Sequence, residues 1–394
     1  MQARGWIKDV MYGLIIFCIC AAVILVVSVA ADNIAAKHNA VIVSKNVNSN
    51  LDCDDSICTS VDNVSGSEND ENVNLACDGK EQDNNNINDK KIACWGDSIT
   101  YGLGGQENTY IKSEAGVIDA SNWNYPDTLR YYTGMDVYNL GVCGETSYEI
   151  ALRQGGIKMY VGKQVTVKPG KRTQISIVDE SGNPVILENF NGYETDNQQP
   201  ENVVYINDIP FKLEYDNSRI YISIYDNAVD KSVKLKKGSQ IITKAAHDIS
   251  GDVLVIQMGS NGGWNDYDEL IEQYKAMIAN SGTECYIIIG DTDNPEESVD
   301  SANYTSSQEI GTDDSMWEAA LREAFGEHFI NMRTYLLENA LNIAGLEPTQ
   351  MDEEDLSQGR VPETIKYDYT HLNSYGYYAI GYGVYEKGLE LGYW

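Results

Sequence analysis

Two predominantly apolar runs in the second half of the chain constrain its fold more than any other feature. They are DVLVIQM at residues 252–258 and ECYIII at residues 284–289, with an amphipathic helical pattern between them at residues 266–280. A strand that is apolar on both sides is buried on both faces, which is typical of parallel sheets covered by helices. The spacing therefore predicts a strand–helix–strand unit of an α/β protein.

The same alternation extends to both sides of this unit. Short strands are expected at residues 91–95 and 136–140. Helical patterns occupy residues 123–133, 146–155, 315–325, 334–344 and 374–391. Strands that alternate with helices predict one parallel sheet with helices on both faces.

Residues 157–247 interrupt this pattern. Segments such as QVTVKPG, TQISIVD, NVVYIND, FKLEYDN and RIYISIYD alternate apolar and polar residues between turns rich in Gly, Pro, Asn and Asp. Such alternation is typical of antiparallel strands with one face in water. We therefore predict a small antiparallel β-domain, inserted into an α/β domain that comprises residues 91–156 and 248–394.

The first residues of the chain indicate export. Residues 11–31 are almost uninterruptedly apolar, follow Arg4 and Lys8, and are long enough to span a bilayer as a helix. The cationic flank should stay inside, which places the remainder outside the cell. We expect a single-pass membrane protein anchored through this segment. The alternative is secretion after signal cleavage, because residues 28–30 (SVA) resemble a cleavage site.

A polar segment follows the apolar one. Residues 32–90 are rich in Asn, Asp, Ser and Glu and contain no aromatic residue. Such a composition cannot bury enough apolar surface to offset the entropy of ordering. The domain order is therefore an anchor or signal at residues 1–31, a disordered tether at residues 32–90, and the globular part.

Charge and cysteine usage exclude several functions. The chain has 60 acidic and 28 basic residues, a formal net charge of −32, so nucleic acid is not an expected partner. No Cys/His spacing suggests zinc. Acidic runs at residues 291–293 and 352–355 lack EF-hand spacing and are interpreted as solvated loops rather than calcium sites. No metal or other cofactor is expected.

Four short segments carry side chains suited to catalysis. In the first, Gly96-Asp97-Ser98-Ile99, Ser98 follows a strand, where open α/β sheets place their active sites. In the second, residues 139–146 (NLGVCGET), Gly144 can present a backbone N–H to a ligand. Taken alone, each has a commonplace explanation as a helix N-cap or a turn.

The other two segments lie further along the chain. In residues 259–264 (GSNGGW), Asn261 can offer an amide to a developing oxyanion, unless it only holds a glycine-rich turn. Trp264 either lines a sugar site or packs beneath the loop. In residues 368–371 (DYTH), Asp368 can orient the imidazole of His371, although such a pair is often structural.

In this order the four segments resemble blocks I, II, III and V of the SGNH/GDSL hydrolase superfamily. The resemblance covers residues 91–156 and 249–394. It implies a flavodoxin-like three-layer α/β/α fold, to which the β-domain is an addition. Two departures are visible: Gly262 replaces the Asp of block III, and Ile99 replaces the Leu of the GDSL name.

The resemblance also implies roles for the matched residues. Ser98 is the nucleophile, His371 the general base and Asp368 its orienting partner. The backbone N–H groups of Ser98 and Gly144 and the amide of Asn261 form the oxyanion hole.

The function implied is that of an extracytoplasmic serine ester hydrolase. Export and a chain rich in Tyr and Trp favour an acylated glycan as the partner, with O-acetyl groups removed from cell-wall or environmental polysaccharide. Another small ester is a second substrate class. Alternatives are a lipase or acyltransferase of the same fold, and a glycan-binding surface protein with a vestigial hydrolase domain.

Overall fold

The computed structural model describes residues 90–113, 116–185, 202–216, 219–299 and 315–394. The strands of the α/β region and the hairpin beside it are β1 (Lys91–Gly96), β2 (Tyr110–Ser113), β3 (Gly116–Asp119) and β4 (Asp136–Gly141). The antiparallel strands that follow are β5 (Met159–Val161), β6 (Val165–Val167), β7 (Thr173–Ile175), β8 (Ile177–Val178), β9 (Val203–Ile206), β10 (Ile209–Asp216), β11 (Arg219–Ile224), β12 (Val233–Leu235) and β13 (Gln240–Thr243). The chain then returns through β14 (Val253–Gln257), β15 (Tyr286–Ile289) and β16 (Phe329–Ile330).

Nine α-helices occur within these described ranges. They are α1 (Ser98–Tyr101), α2 (Tyr125–Thr133), α3 (Ser147–Gln154), α4 (Lys244–Asp248), α5 (Tyr267–Ser281), α6 (Met316–Phe325), α7 (Met332–Ala344), α8 (Gln350–Ser357) and α9 (Ser374–Glu390). None of the helices in the described part of the chain is both long and apolar enough to cross a bilayer.

The central sheet has five parallel strands in the order β16-β15-β14-β1-β4. Trp95 in β1 lies beside Ile256 of β14 on one side and Leu140 of β4 on the other. Both apolar runs therefore form inner strands, as a strand buried on both faces should. The predicted α/β class with a parallel sheet is confirmed.

Helices cover both faces of this sheet, because alternate side chains of each strand point to opposite faces. On one face, Ile92 and Val255 contribute to a core that includes residues of α2, α7 and α9. On the other, Ala93 and Leu254 contribute to a core that includes residues of α3, α5 and α6, with Trp317 fully buried. The architecture is therefore three-layered, as expected.

Helix α3, which follows the second segment, shows how local sequence sets the helix ends. The hydroxyl of Thr146 accepts the N–H of Glu149 at 3.3 Å, and the carboxylate of Glu149 accepts the N–H of Thr146 at 3.1 Å. This reciprocal capping satisfies donors that have no partner within the helix. Gly155 ends the helix with φ of 92°, a left-handed conformation that glycine adopts without strain.

The antiparallel strands form a separate β-domain. Its seven-stranded near-barrel has the order β7-β11-β10-β9-β13-β5-β8, and β6 pairs with β12 in a two-stranded ribbon. Val204, Phe211, Ile222 and Leu235 are buried in its core. The prediction of an inserted antiparallel β-domain is confirmed, although β5 and β13 were not among the predicted strands.

Both junctions of this β-domain lie at the amino-terminal edge of the parallel sheet. Helix α3 runs from the carboxyl edge of the parallel sheet to its amino-terminal edge and leads into β5, and α4 leads back to the start of β14. Leu152 of α3 belongs to the β-domain core, and the hydroxyl of Thr243 donates to the backbone oxygen of Arg153 at 2.5 Å. The β-domain therefore packs on helix α3, and the first turn of this helix directly follows the second segment, residues 139–146.

Several expectations were wrong or incomplete. The acidic runs are not simply solvated loops: Asp291, Asp293, Asp352 and Asp355 are each at most 8% exposed, whereas Glu353 and Glu354 are exposed as expected. The β2–β3 hairpin and α8 had no counterpart among the predicted elements. The predicted anchor at residues 11–31 and all of the tether except Lys90 lie outside the described residues.

Candidate active site

The candidate nucleophile occupies a sharp strand-to-helix turn. Strand β1 ends at Gly96, where a Cβ would lie 2.4 Å from the backbone oxygen of Gln257. The carboxylate of Asp97 then accepts the N–H of Ile99 at 3.0 Å and caps α1. Ser98 is the first residue of this helix and is 7% exposed. The turn presents its hydroxyl at the carboxyl edge of the sheet, where ligands bind in α/β proteins.

The structure brings the fourth segment to this hydroxyl. Ser98 Oγ lies 2.9 Å from Nε2 of His371, although the two residues are 273 positions apart in sequence. The other ring nitrogen, Nδ1, lies 2.9 and 3.0 Å from the two carboxylate oxygens of Asp368. Serine, histidine and aspartate therefore form a continuous hydrogen-bonded chain.

A tight turn holds the histidine in place. The N–H groups of Thr370 and His371 donate to Oδ1 of Asp368 at 2.9 and 2.7 Å, and the N–H of Tyr367 donates to the backbone oxygen of His371 at 2.8 Å. Such bonds from an Asp side chain to backbone two and three residues later are typical of turns. One carboxylate thus fixes both the backbone and the ring.

The charge of Asp368 suits this role. Burial raises the pKa of Asp368, but the hydrogen bonds from His371 and Thr370 outweigh burial and hold that pKa below its ordinary value. An ionised carboxylate favours the imidazole tautomer with its proton on Nδ1. Nε2 is then the atom that can accept the proton of Ser98.

The third segment contacts the first two through Asn261. Its amide nitrogen donates to the backbone oxygen of Glu145 at 3.1 Å and to Oδ2 of Asp97 at 3.3 Å. The backbone N–H groups of Ser98 and Gly144 have no acceptor within the described residues. Two predicted oxyanion donors are therefore free, whereas the third is engaged in the resting protein. Gly144 has φ of 79°, which a residue with a side chain rarely adopts.

A buried ion pair beneath this loop was not foreseen. The guanidinium of Arg153 lies 2.7 Å from the carboxylate of Glu145, and both side chains are fully buried. It also donates to the backbone oxygen of Leu140 at 2.8 Å and lies over the ring of Trp95. Burial raises the pKa of Glu145 to about 7 against the opposing attraction of Arg153. The pair ties the residue after Gly144 to helix α3 and the end of β4.

A fifth loop, after β15, adds two buried carboxyls to the site region. Asp291 accepts the hydroxyl of Ser298 at 2.6 Å and the N–H of Asp293 at 3.3 Å. Burial raises the pKa of Asp97 to about 7 and, with repulsion from Asp291, that of Asp293 to about 9. Near neutral pH, Asp97 is therefore partly protonated and Asp293 mostly protonated. No cluster of His, Cys, Asp and Glu among the described residues is arranged to hold a metal ion.

Trp264 is placed beside the third segment. Its indole N–H donates to the backbone oxygen of Gly259 at 3.0 Å, and its ring packs against Trp317 and Tyr267. These contacts are those of a residue that supports the loop from below. A contact between Trp264 and a sugar stays a prediction.

Comparisons with known proteins add little to this geometry. No protein-family model matches the chain, and no curated protein matches it. It is similar, at 11% identity and a TM-score of 0.35, to the solved structure of a candidate lipolytic protein of the G-D-S-L family from Desulfitobacterium hafniense; the match covers 76% of this chain and 99% of that one. A second solved structure matches at 12% identity and a TM-score of 0.31, over 77% and 98% of the two chains. No functional conclusion is drawn from likenesses this distant.

Proposed function

We propose that this protein is a serine ester hydrolase. The observation that carries the proposal is the chain of short contacts from Ser98 Oγ through His371 to Asp368. In this mechanism Nε2 takes the hydroxyl proton as Oγ attacks the ester carbonyl carbon. The alcohol leaves with that proton, and a water activated by the same ring then releases the acid from the acyl-serine.

The donors around the serine support acyl transfer over a merely structural pair. The N–H groups of Ser98 and Gly144 lie at a helix start and a left-handed glycine, and no acceptor in the described residues engages them. A backbone N–H that is shielded from water and has no acceptor raises the free energy of the folded protein, unless a ligand supplies the acceptor. An oxyanion formed at the attacked carbonyl is such a ligand, and Asn261 can add a third bond by exchanging its contact with Asp97.

The same features weigh against a vestigial hydrolase domain. The side chain of His371 is 17% exposed and that of Asp368 35%, so the triad is reachable from solvent at one edge. A domain released from catalytic function would not need to keep these three side chains aligned.

For the substrate we propose a short acyl ester on a glycan. Tyr367 and Tyr369 flank Asp368 on the turn that carries the histidine and are 55% and 69% exposed. Exposed tyrosines offer a ring face and a hydroxyl, which suit the apolar face and hydroxyls of a sugar. The proposed location, outside the cell and held at the membrane through residues 11–31, follows from the sequence alone.

The test is Ser98→Ala, assayed with a fluorophosphonate label and a panel of esters. We expect covalent labelling and hydrolysis in the wild type and loss of both in the variant, with an unchanged melting temperature. Ser357→Ala is the matched control, because Ser357 lies on α8 and, within the described ranges, its hydroxyl bonds only to the backbone oxygen of Glu354. Within the panel, acetyl esters should be cleaved more efficiently than decanoyl esters.

Two results would separate the parts of this proposal. Turnover by Ser98→Ala near the wild-type rate would remove Ser98 as nucleophile. A clear preference for decanoyl over acetyl esters would leave the triad intact and refute the short-acyl substrate.

A further inference from the structure

Positive charge is concentrated in the β-domain of an otherwise acidic protein. Residues 157–247 contain 12 Lys and Arg against 11 Asp and Glu, whereas the whole chain contains 28 against 60. The β-domain is therefore close to neutral, and all of the excess negative charge of the chain lies outside it. Such a separation produces a local field that the net charge of the chain conceals.

Most of these cations lie within, or at most four residues from, strands β6 and β12, which form a two-stranded ribbon. Thr166 pairs with Lys234, while Val167 and Leu235 are buried on the inner face. Because side chains alternate along a strand, Lys168 and Lys236 share the outer face with Thr166 and Lys234. We call this surface the lysine ribbon. Its exposed lysines are Lys163, Lys168, Lys171, Lys231, Lys234, Lys236 and Lys237.

The ammonium groups of the lysine ribbon carry positive charge that the described part of the chain does not neutralise by ion pairing. None of the seven forms an ion pair with a carboxylate among the described residues. The neighbouring Arg172 differs, because it pairs with Glu214 and Asp216 and stacks on Tyr221. The acidic residue nearest to β12 in sequence, Asp230, directly precedes Lys231. Lys168, Lys234 and Lys236 are like charges on one face and repel each other, and a polyanion relieves that repulsion.

We propose that the lysine ribbon binds an anionic polysaccharide. The outer face supplies ammonium groups for carboxylates or phosphates, with Gln164, Thr166 and Ser232 beside them to bond sugar hydroxyls. This function is separate from ester hydrolysis and does not depend on the triad.

Two other polyanions fit the surface less well. Peripheral membrane surfaces combine basic residues with Trp, Phe or Leu that enter the bilayer, and the lysine ribbon has no large exposed apolar side chain. Proteins that bind single-stranded nucleic acid stack bases on aromatic rings or arginines. Here the arginine beside the ribbon is already stacked and paired.

The experiment measures binding of the full chain to polygalacturonate, with neutral xylan as the uncharged comparison. The ribbon variant is Lys168→Gln with Lys234→Gln and Lys236→Gln. Its control is Lys112→Gln with Lys275→Gln and Lys387→Gln, which removes the same charge from the α/β domain. We expect the wild type to bind polygalacturonate but not xylan, with affinity that falls as salt rises. The ribbon variant should bind at least tenfold more weakly, and the control within twofold of the wild type.

Hydrolysis of a small soluble ester should be equal in all three proteins, which also shows that the variants fold. Equal binding by the ribbon variant and the control would overturn the proposal. So would tighter binding to phosphatidylserine vesicles or to single-stranded DNA than to polygalacturonate at equal anionic charge. If ester hydrolysis is absent from the wild type but polymer binding follows the ribbon, the proposed esterase function fails and the lysine ribbon stands.

Discussion

Replacing Asn261 with alanine tests the oxyanion hole most directly. Loss of one such donor typically costs about 2.7–4 kcal/mol of transition-state stabilisation. In this protein the amide already donates to Asp97 at 3.3 Å and to Glu145 at 3.1 Å, so binding an oxyanion means giving up one contact. A hydrogen bond within a protein contributes about 0.5–1.5 kcal/mol net.

The difference leaves about 1.2–3.5 kcal/mol, at about 1.4 kcal/mol for each factor of ten, so kcat should fall about sevenfold to three-hundredfold. The Michaelis constant should change much less, because the lost contact belongs to the transition state. Steady-state kinetics on an acetyl aryl ester measure both values. Asn265→Ala is the matched control, because Asn265 lies four residues later and, among the residues that the structure describes, bonds only to Glu269.

A folded Asn261→Ala enzyme whose kcat falls less than threefold would refute this reasoning. Asn261 would then only brace the loop between Asp97 and Glu145. A fall in kcat that is matched by Asn265→Ala would point instead to general loosening of the loop.

Two further predictions concern the buried charges. Arg153→Leu leaves the buried carboxylate of Glu145 without its cation, so the free energy of unfolding should fall by about 3–5 kcal/mol at pH 8 and by less at pH 5, where Glu145 is protonated. Chemical denaturation measures this fall, with the exposed Lys275→Leu as the control. An unchanged denaturation midpoint would contradict the prediction. The pKa of Asp293 is raised to about 9, so its contribution to stability is complete below about pH 4 and is lost as the pH rises through 9. Asp293→Asn should therefore have the melting temperature of the wild type near pH 4, and a melting temperature that exceeds the wild-type value by more and more as the pH rises to 9. The exposed control Asp230→Asn should show no such trend. A difference in melting temperature that does not grow with pH would refute the assignment.

The parallel sheet was predictable because the apolar composition of its inner strands indicates that both of their faces are buried. β14 and β15 are apolar on both faces, and only burial on both faces explains such runs. Helix α8 gave no such signal, because its buried positions are Asp352 and Asp355 instead of apolar residues. The buried carboxylate of Asp352 accepts the N–H of Thr349 and the hydroxyl of Thr364, and these partners could not be predicted from hydrophobic periodicity.

The candidate site, too, could be predicted from the sequence only in part. The order of the four segments indicated which loops meet at the sheet edge, since carboxyl ends of parallel strands share one edge. It did not indicate that Arg153 of helix α3 reaches back to Glu145. Nor did it indicate the buried loop of Asp291 and Asp293, because a carboxyl that is largely removed from water looks the same in a sequence as one in solvent.

The position of the two β-domain junctions makes that domain exchangeable. Helix α3 has eight residues, so about 12 Å of helix separates the loop of Gly144 from the point where the chain enters β5. The chain returns through α4 at the same edge of the sheet. A module of another length or fold that is grafted between Gly156 and Lys244 leaves the loops of Ser98, Asn261 and His371 at their present lengths, provided that it covers Leu152 and replaces the bond from Thr243 to Arg153. Recognition surfaces on such a scaffold can change by replacement of one segment, and the reacting groups need not change with them.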